Sequence, residues 1–397
     1  MDTPAPAAAR PQPVVQEVVG PPLTEHEVAA AIAIGVISLI LAGVMSMLLS
    51  GLADEHRLSA QGIGLTAMLE ALVMGLTTGA CGIFLKPARL RLIGAIACVA
   101  LAVIDVSMTR MSGLPVILVR GLAGVPEGVL LWITIGMIAR TETPERWAGV
   151  LFTALTAAQF ALAMVFTFWV VPIFHANGGF IAVAAIIALG VFIAARLPDR
   201  YAPLPDGGDD GGPPPLRGWI ALFGTLIFVS SVGAIGIYTV AFAKQAGLAP
   251  GVGRFAVTAA LAAQILGGAL ATGAAGRIHY FRVFIAGSII SLGVLAIYAG
   301  AAPAWLFVVA TMVYGGVNMF ITPFLVPMTI EADPSRRAAV QSGAAQLFGA
   351  ALGPLAAAFV VSDKDLHGAL YFGAALLLTG LAIIAGLHFT ARRETAA

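Results

Sequence analysis

Four ionisable residues stand inside long apolar blocks of this chain: Glu70, Asp105, Arg120 and Glu127. A charge in hydrocarbon is costly and rare, so each is a functional candidate by default. Arg120 and Glu127 are separated by nearly two helical turns and face the same way. Burial favours the protonated carboxyl, whereas a neighbouring guanidinium favours the carboxylate. A carboxyl held between those influences can load and release a proton, which is the physical basis of proton coupling. Glu70 and Glu127 are therefore expected to carry protons with Arg120 as their partner. The competing reading is that Arg120 only neutralises the acids and locks its helix against neighbours. Counted along the helices at 1.5 Å per residue, Asp105 and Arg120 fall roughly 5 to 10 Å from the outer end, Glu70 about 15 Å and Glu127 about 20 Å.

The elements that must position these groups follow from composition. Of 397 residues, 59% are apolar, 46 more are Gly, and only 10% are charged, where a soluble domain carries roughly a quarter. The apolar residues come in blocks of about 20, the length that crosses a hydrocarbon core of roughly 30 Å. The chain reads as an all-α membrane protein with twelve transmembrane helices. The first six fall at 28–50, 61–85, 89–108, 114–139, 148–172 and 178–196, and the second six at 218–242, 252–275, 282–300, 304–328, 339–361 and 368–390. Residues 28–197 form an N-terminal six-helix bundle and 218–390 a C-terminal one. Between them, 198–217 is rich in Pro, Gly and Asp and reads as a cytoplasmic linker. Residues 1–27 lack the apolar run of a signal peptide and read as a disordered cytoplasmic tail, and 391–397 as a second cytoplasmic tail.

Orientation follows from the basic residues of the loops. With the N-terminus cytoplasmic, the inner segments hold Arg10, Lys86, Arg89, Arg91, Arg140, Arg146, Arg196, Arg200, Arg217, Arg277, Arg282, Arg336, Arg337, Arg392 and Arg393, and the outer ones only Arg57, Arg110, Lys244, Arg254 and Lys364. This predicts an inner-membrane protein with both termini cytoplasmic. The halves also repeat each other: Thr78-Gly79-Ala80-Cys81-Gly82 returns as Thr272-Gly273-Ala274-Ala275-Gly276, and the loop Thr143-Pro144-Glu145-Arg146 as Asp333-Pro334-Ser335-Arg336. A parallel duplication into two pseudo-symmetric bundles accounts for both, and it is a known transporter architecture.

Several chemistries are excluded or disfavoured. Net charge is +1, which suggests no nucleic-acid partner. No Lys ends a Gly-rich phosphate loop, and neither a zinc-protease His-Glu-x-x-His nor a Gly-x-Ser-x-Gly elbow occurs. Cys81 and Cys98 read as small buried apolar side chains. The six His residues are scattered near span ends, so no metal, no cofactor and no enzyme activity are expected. Gly124 and Gly128 are spaced for close helix packing, and Pro126 and Pro354 are candidate kinks.

The chain resembles the major facilitator superfamily from about 28 to 390. Arg120-Gly121-Leu122-Ala123-Gly124 is similar to the family's fourth-helix pattern, and Arg140-Thr141-Glu142-Thr143-Pro144-Glu145-Arg146 to the inner loop that follows. The broader look is that of sugar-efflux-like permeases. The resemblance departs at Lys86, which stands where the family has Asp, and at Leu155–Ala161, which lacks the Gly-Pro-rich antiporter pattern. It implies alternating access of two bundles, with the first, fourth, seventh and tenth helices lining a cavity and the third outside it. Asp105 is therefore expected to snorkel or to pair with Arg120. Tyr238 and Asn318 become candidate substrate contacts beside Arg120 and Glu127, and Gln159 and Gln346 follow as further polar candidates, although a lone polar residue in a membrane helix more often bonds its neighbour.

The expectation is a monomeric secondary transporter moving a small organic solute across the bilayer, coupled to protons. Two alternatives stay open: a uniporter or anion exchanger anchored by Arg120, and a non-transporting membrane sensor on the same fold.

Overall fold

The apolar blocks are helices because a backbone in hydrocarbon has no solvent partner and must bond within its own segment. The computed structural model describes residues 23–204, 212–236, 238–300, 302–357, 359–361 and 366–396. Most of the expected N-terminal tail, the middle of the linker and Lys364 lie outside the described residues.

The first half contains α1 (Glu25–Leu39, continued after a 3-10 turn by Met45–Asp54), α2 (Ala60–Phe84), α3 (Leu90–Ser107), α4 (Leu114–Ile138), α5 (Pro144–Val165) and α6 (Val171–Ala194). The second contains α7 (Leu216–Gly236, continued by Thr239–Gln245), α8 (Pro250–Ala274), α9 (Tyr280–Ala299), α10 (Ala304–Ile321, continued by Leu325–Ala332), α11 (Arg337–Ala357) and α12 (His367–Ala396). Among the described residues, eleven spans are long and apolar enough to cross a membrane; α11, rich in Ala, Gly and Gln, is the expected span that falls short. Its inward face is covered instead, since it packs between α2 and α7.

Three boundaries differ from the sequence expectation. α1 begins at Glu25 because Thr24 and Glu27 form a reciprocal capping box, which satisfies two otherwise free N–H groups. Helix continues through Pro126 and Pro354, while regular helix is interrupted at 40–43, 166–170 and 322–324, at His175 within α6 and between Gly236 and Thr239 in α7. The start of the linker is docked rather than loose: Leu90 N–H bonds Asp199 O and Tyr201 N–H bonds Pro87 O, while the Tyr201 hydroxyl donates to Ile133 O at 3.0 Å. Arg140 donates to Ala202 O at 2.7 Å and stacks over the Tyr201 ring. Burial pushes the Tyr201 phenol above its usual range, with the nearby Arg140 charge partly opposing.

The duplication appears in the packing. α2 meets α4 as α8 meets α10, and α3 meets α6 as α9 meets α12. The halves join through α2 against α11 and α5 against α8, the same pair of elements exchanged between repeats. On α3, Leu92, Ile96, Val99, Val103 and Val106 are exposed at helical spacing while Gly94, Ala97, Cys98, Leu101 and Asp105 are buried, so one apolar face meets lipid and the other carries the acid inward.

Candidate functional site

The four charged groups meet at one guanidinium. Arg120 on α4 donates Nε to Glu70 Oε2 at 2.7 Å and Nη2 to Glu70 Oε1 at 2.6 Å. Its Nη1 reaches Asp105 Oδ1 and its Nη2 reaches Glu127 Oε1, both at 2.5 Å. α2, α3 and α4 thus each contribute an acid. Side chains lean toward the N-terminus of their helix, which carries the Glu127 carboxylate outward across two turns to its own helix's Arg120. The spread of depths inferred from residue counts therefore collapses onto a single point.

Close packing of α2 on α4 makes this possible. A Cβ at Gly124 would lie 2.6 Å from the Glu70 carbonyl oxygen and 2.7 Å from Met74 N, so only glycine lets the backbones approach this closely. One turn on, Gly128 meets the Met74 carbonyl in the same way, and Thr78 Oγ1 donates to Gly128 O at 3.1 Å.

The cluster is nearly dry. Arg120 and Asp105 are 0% exposed, Glu127 2% and Glu70 8%. Three acids face one cation, and Asp105 Oδ2 has no hydrogen-bond partner among the described residues. Arg120 therefore has no free face for a solute anion, and Glu70 is the member nearest open space. Asp105, ranked by sequence as a peripheral residue, is a full member through its pair with Arg120.

The neutral candidates separate. Asn318 lines a cavity of about 220 Å³ between α7, α8 and α10 with Gln264, Thr311, Tyr314, Thr239 and Thr322; its Nδ2 donates to Tyr314 O at 2.8 Å. Among the described residues, no charged side chain lines this cavity. Gln159 instead donates to Leu39 O at 2.8 Å, taking up the carbonyl where α1 breaks. Tyr238 sits at the break in α7 and packs toward Phe242. Gln346 is half-buried on α11 and does not line the cavity.

The repeated loops form a lock that sequence reasoning noticed only as a repeat. Arg336 Nη1 donates to Ala139 O at 2.9 Å and to Thr141 O at 2.7 Å, so a cation from the second half caps the carbonyl end of α4. Reciprocally, Glu145 accepts from Gly276 N–H at 2.9 Å just past α8. Arg336 holds φ at 62°, a left-handed conformation costly for a side chain of this kind. Partial burial lowers its pKa, and Glu142 works against that shift. The acceptors that Arg336 meets here are backbone carbonyls of the first half. The halves are joined at the end that bears the basic loops.

This arrangement of helices is the major facilitator fold. Its solved neighbours include the transporter FucP in an outward conformation (TM-score 0.71, 11% identity, 91% of this chain and 98% of that one) and the proton:xylose symporter XylE bound to 6-bromo-6-deoxy-D-glucose (0.70, 11%, 92% and 96%). The human organic anion transporter MFSD10 aligns with a TM-score of 0.66 at 15% identity, covering 92% of this chain and 100% of that one. No family model matches the sequence, and no curated protein matches it by sequence.

Proposed function

We propose that the protein is a secondary active transporter that moves a small organic solute across the inner membrane by alternating access, with protons taken up at the Arg120 cluster. The observation that carries this reading is the imbalance of charge at that cluster: three carboxyls surround one guanidinium in a site that is almost fully buried. Full ionisation leaves two uncompensated negative charges away from water, which is expensive. Protons are the smallest ligands that restore neutrality. Glu70, at the edge of the cluster, is the entry point, and Glu127 is the inner carrier. Arg120 and Asp105 position them.

The solute is assigned to the cavity between α7, α8 and α10, where Gln264, Asn318 and Tyr314 offer neutral hydrogen-bonding groups among apolar walls. A neutral, hydroxyl-bearing solute suits this lining better than an anion. Anion exchange anchored on Arg120 is disfavoured because every guanidinium nitrogen is already engaged by an acid. The lock of Arg336 and Glu145 closes the cytoplasmic side in this conformation and opens in the opposite one.

The test uses purified protein in vesicles with a solute found by thermal-stabilisation screening. Wild type accumulates the solute under a pH gradient, whereas Glu127→Gln exchanges it across the membrane without accumulation. Normal accumulation by both Glu70→Gln and Glu127→Gln removes the proposed coupling.

A further inference from the structure

At the basic end of the second half, three helix ends converge on residues that the sequence leaves far apart. His279 precedes α9, Glu331 closes the continuation of α10, and His388 lies on α12. Their ligand atoms all fall within 4.8 Å of one another. His388 Nδ1 is 2.9 Å from Glu331 Oε1, and His279 Nε2 is 3.5 Å from Glu331 Oε2. Ligands about 2.0–2.1 Å from a tetrahedral zinc stand about 3.3 Å apart; the two imidazole–carboxylate separations fall on either side of that value, and the wider span of the set, within 4.8 Å, closes by a small inward shift of the half-exposed His279 ring.

We infer that His279, Glu331 and His388 form a binding site for a divalent transition metal ion, zinc being the best match to two imidazoles and one carboxylate.

The surroundings are those of a supported site. The Tyr280 hydroxyl donates to Glu331 Oε1 at 2.7 Å, orienting the carboxylate as an outer partner does in metal sites. Phe281 stacks on the His388 ring with centroids 4.4 Å apart, and His388 is only 4% exposed, so its ring is held in place. The side chains of His279 and Glu331 are 44% and 30% exposed, leaving one side open for entry and for water in the fourth position. Coordination through His388 Nδ1 takes the place of its 2.9 Å contact with Glu331 Oε1, and the single N–H of the neutral imidazole then stands on Nε2. Binding through His279 Nε2 moves that ring's proton to Nδ1 and gives up the 3.2 Å bond from Phe281 N–H, a single exposed capping bond that is small against a metal–imidazole bond. The bound ion ties α9, α10 and α12 together five residues before the Arg336 lock.

The site is tested on full-length, tag-free protein in detergent, stripped with chelator and titrated with Co²⁺ while visible absorption is followed, then with Zn²⁺ in competition. One ion per chain is expected, with the spectrum of a low-symmetry nitrogen and oxygen environment. Tyr280→Phe weakens affinity by about tenfold, and Glu331→Gln abolishes stoichiometric binding. His279→Ala, at a half-open position, leaves the fold intact and also loses the ion, which keeps the inference testable should His388→Ala misfold. No binding by wild type below millimolar Zn²⁺, or equal binding by wild type and the His279→Ala and Glu331→Gln variants, overturns it.

Discussion

Arg120 grips Glu70 with two parallel bonds, Nε to Oε2 at 2.7 Å and Nη2 to Oε1 at 2.6 Å, and no other residue type could do so while also reaching Asp105 and Glu127. Lysine keeps the charge but presents one compact ammonium in place of a planar fork. Arg120→Lys is expected to destabilise the protein by about 1 to 3 kcal/mol, the cost of leaving buried acceptors without the bonds that the fork supplied. Thermal unfolding of the purified protein measures it. Replacing the cluster together, as Arg120→Met with Glu70→Gln, Asp105→Asn and Glu127→Gln, recovers much of that loss. An Arg120→Lys melting curve that overlays wild type would contradict the geometry.

Gly124 sets the distance between α2 and α4, because a methyl group there meets backbone atoms of α2 at 2.6 and 2.7 Å. Gly124→Ala is expected to cost about 1 to 3 kcal/mol through overpacking. Gly293 on α9 has nothing within 4 Å of such a methyl, so Gly293→Ala serves as the control and leaves the melting temperature unchanged or slightly raised. Similar effects from both substitutions would mean that helix propensity, not close approach, governs the first.

The lock at the basic end depends on one side chain from each half. Arg336→Ala removes both carbonyl bonds and Glu145→Ala removes the reciprocal one. Spin labels at Arg146→Cys and Arg277→Cys, on opposite halves, should report a narrow distance distribution in the parent that shifts and broadens to longer distances when Arg336 is lost. An unchanged distribution would show that packing of α2 on α11 and α5 on α8 holds this end shut without it.

Tyr201 gives a pH signature outside the membrane. Burial raises its pKa in the folded protein, so below the unfolded phenol's value of about 10 its contribution is fully present. Above that, the unfolded chain releases the proton first and stability falls as pH rises toward the folded value. Melting temperature between pH 9 and 11 should therefore decline more steeply in wild type than in Tyr201→Phe. The variant also starts lower, having lost the bond to Ile133 O. Parallel declines would place the alkaline sensitivity elsewhere.

Much of this architecture was legible from composition and loops. The runs of apolar residues dictate membrane helices because hydrophobicity accumulates along the chain, whatever its neighbours. Basic loops mark one end, and the Thr143–Arg146 and Asp333–Arg336 repeat marks the duplication. Glu70, Asp105, Arg120 and Glu127 stood out because charge in an apolar block is costly and rare, although residue type alone did not separate proton coupling from simple neutralisation. The start of the first helix was not read: residues 1–27 were expected to be a disordered tail, whereas Thr24 caps a helix that begins at Glu25.

What tertiary structure alone decided was partnership. A membrane helix is apolar on its lipid face and on its buried face alike, so periodicity does not say which way Asp105 points, and only the docking of α3 on α4 delivers it to Arg120. Gln159 was a polar candidate of a kind that more often bonds a neighbouring helix, and the break in α1 supplied that partner, Leu39 O. His279, Glu331 and His388 looked scattered because helices many residues apart in sequence can end at one place in space. Hydropathy is a local sum along the chain, whereas a site depends on helix rotation and on contacts between distant segments.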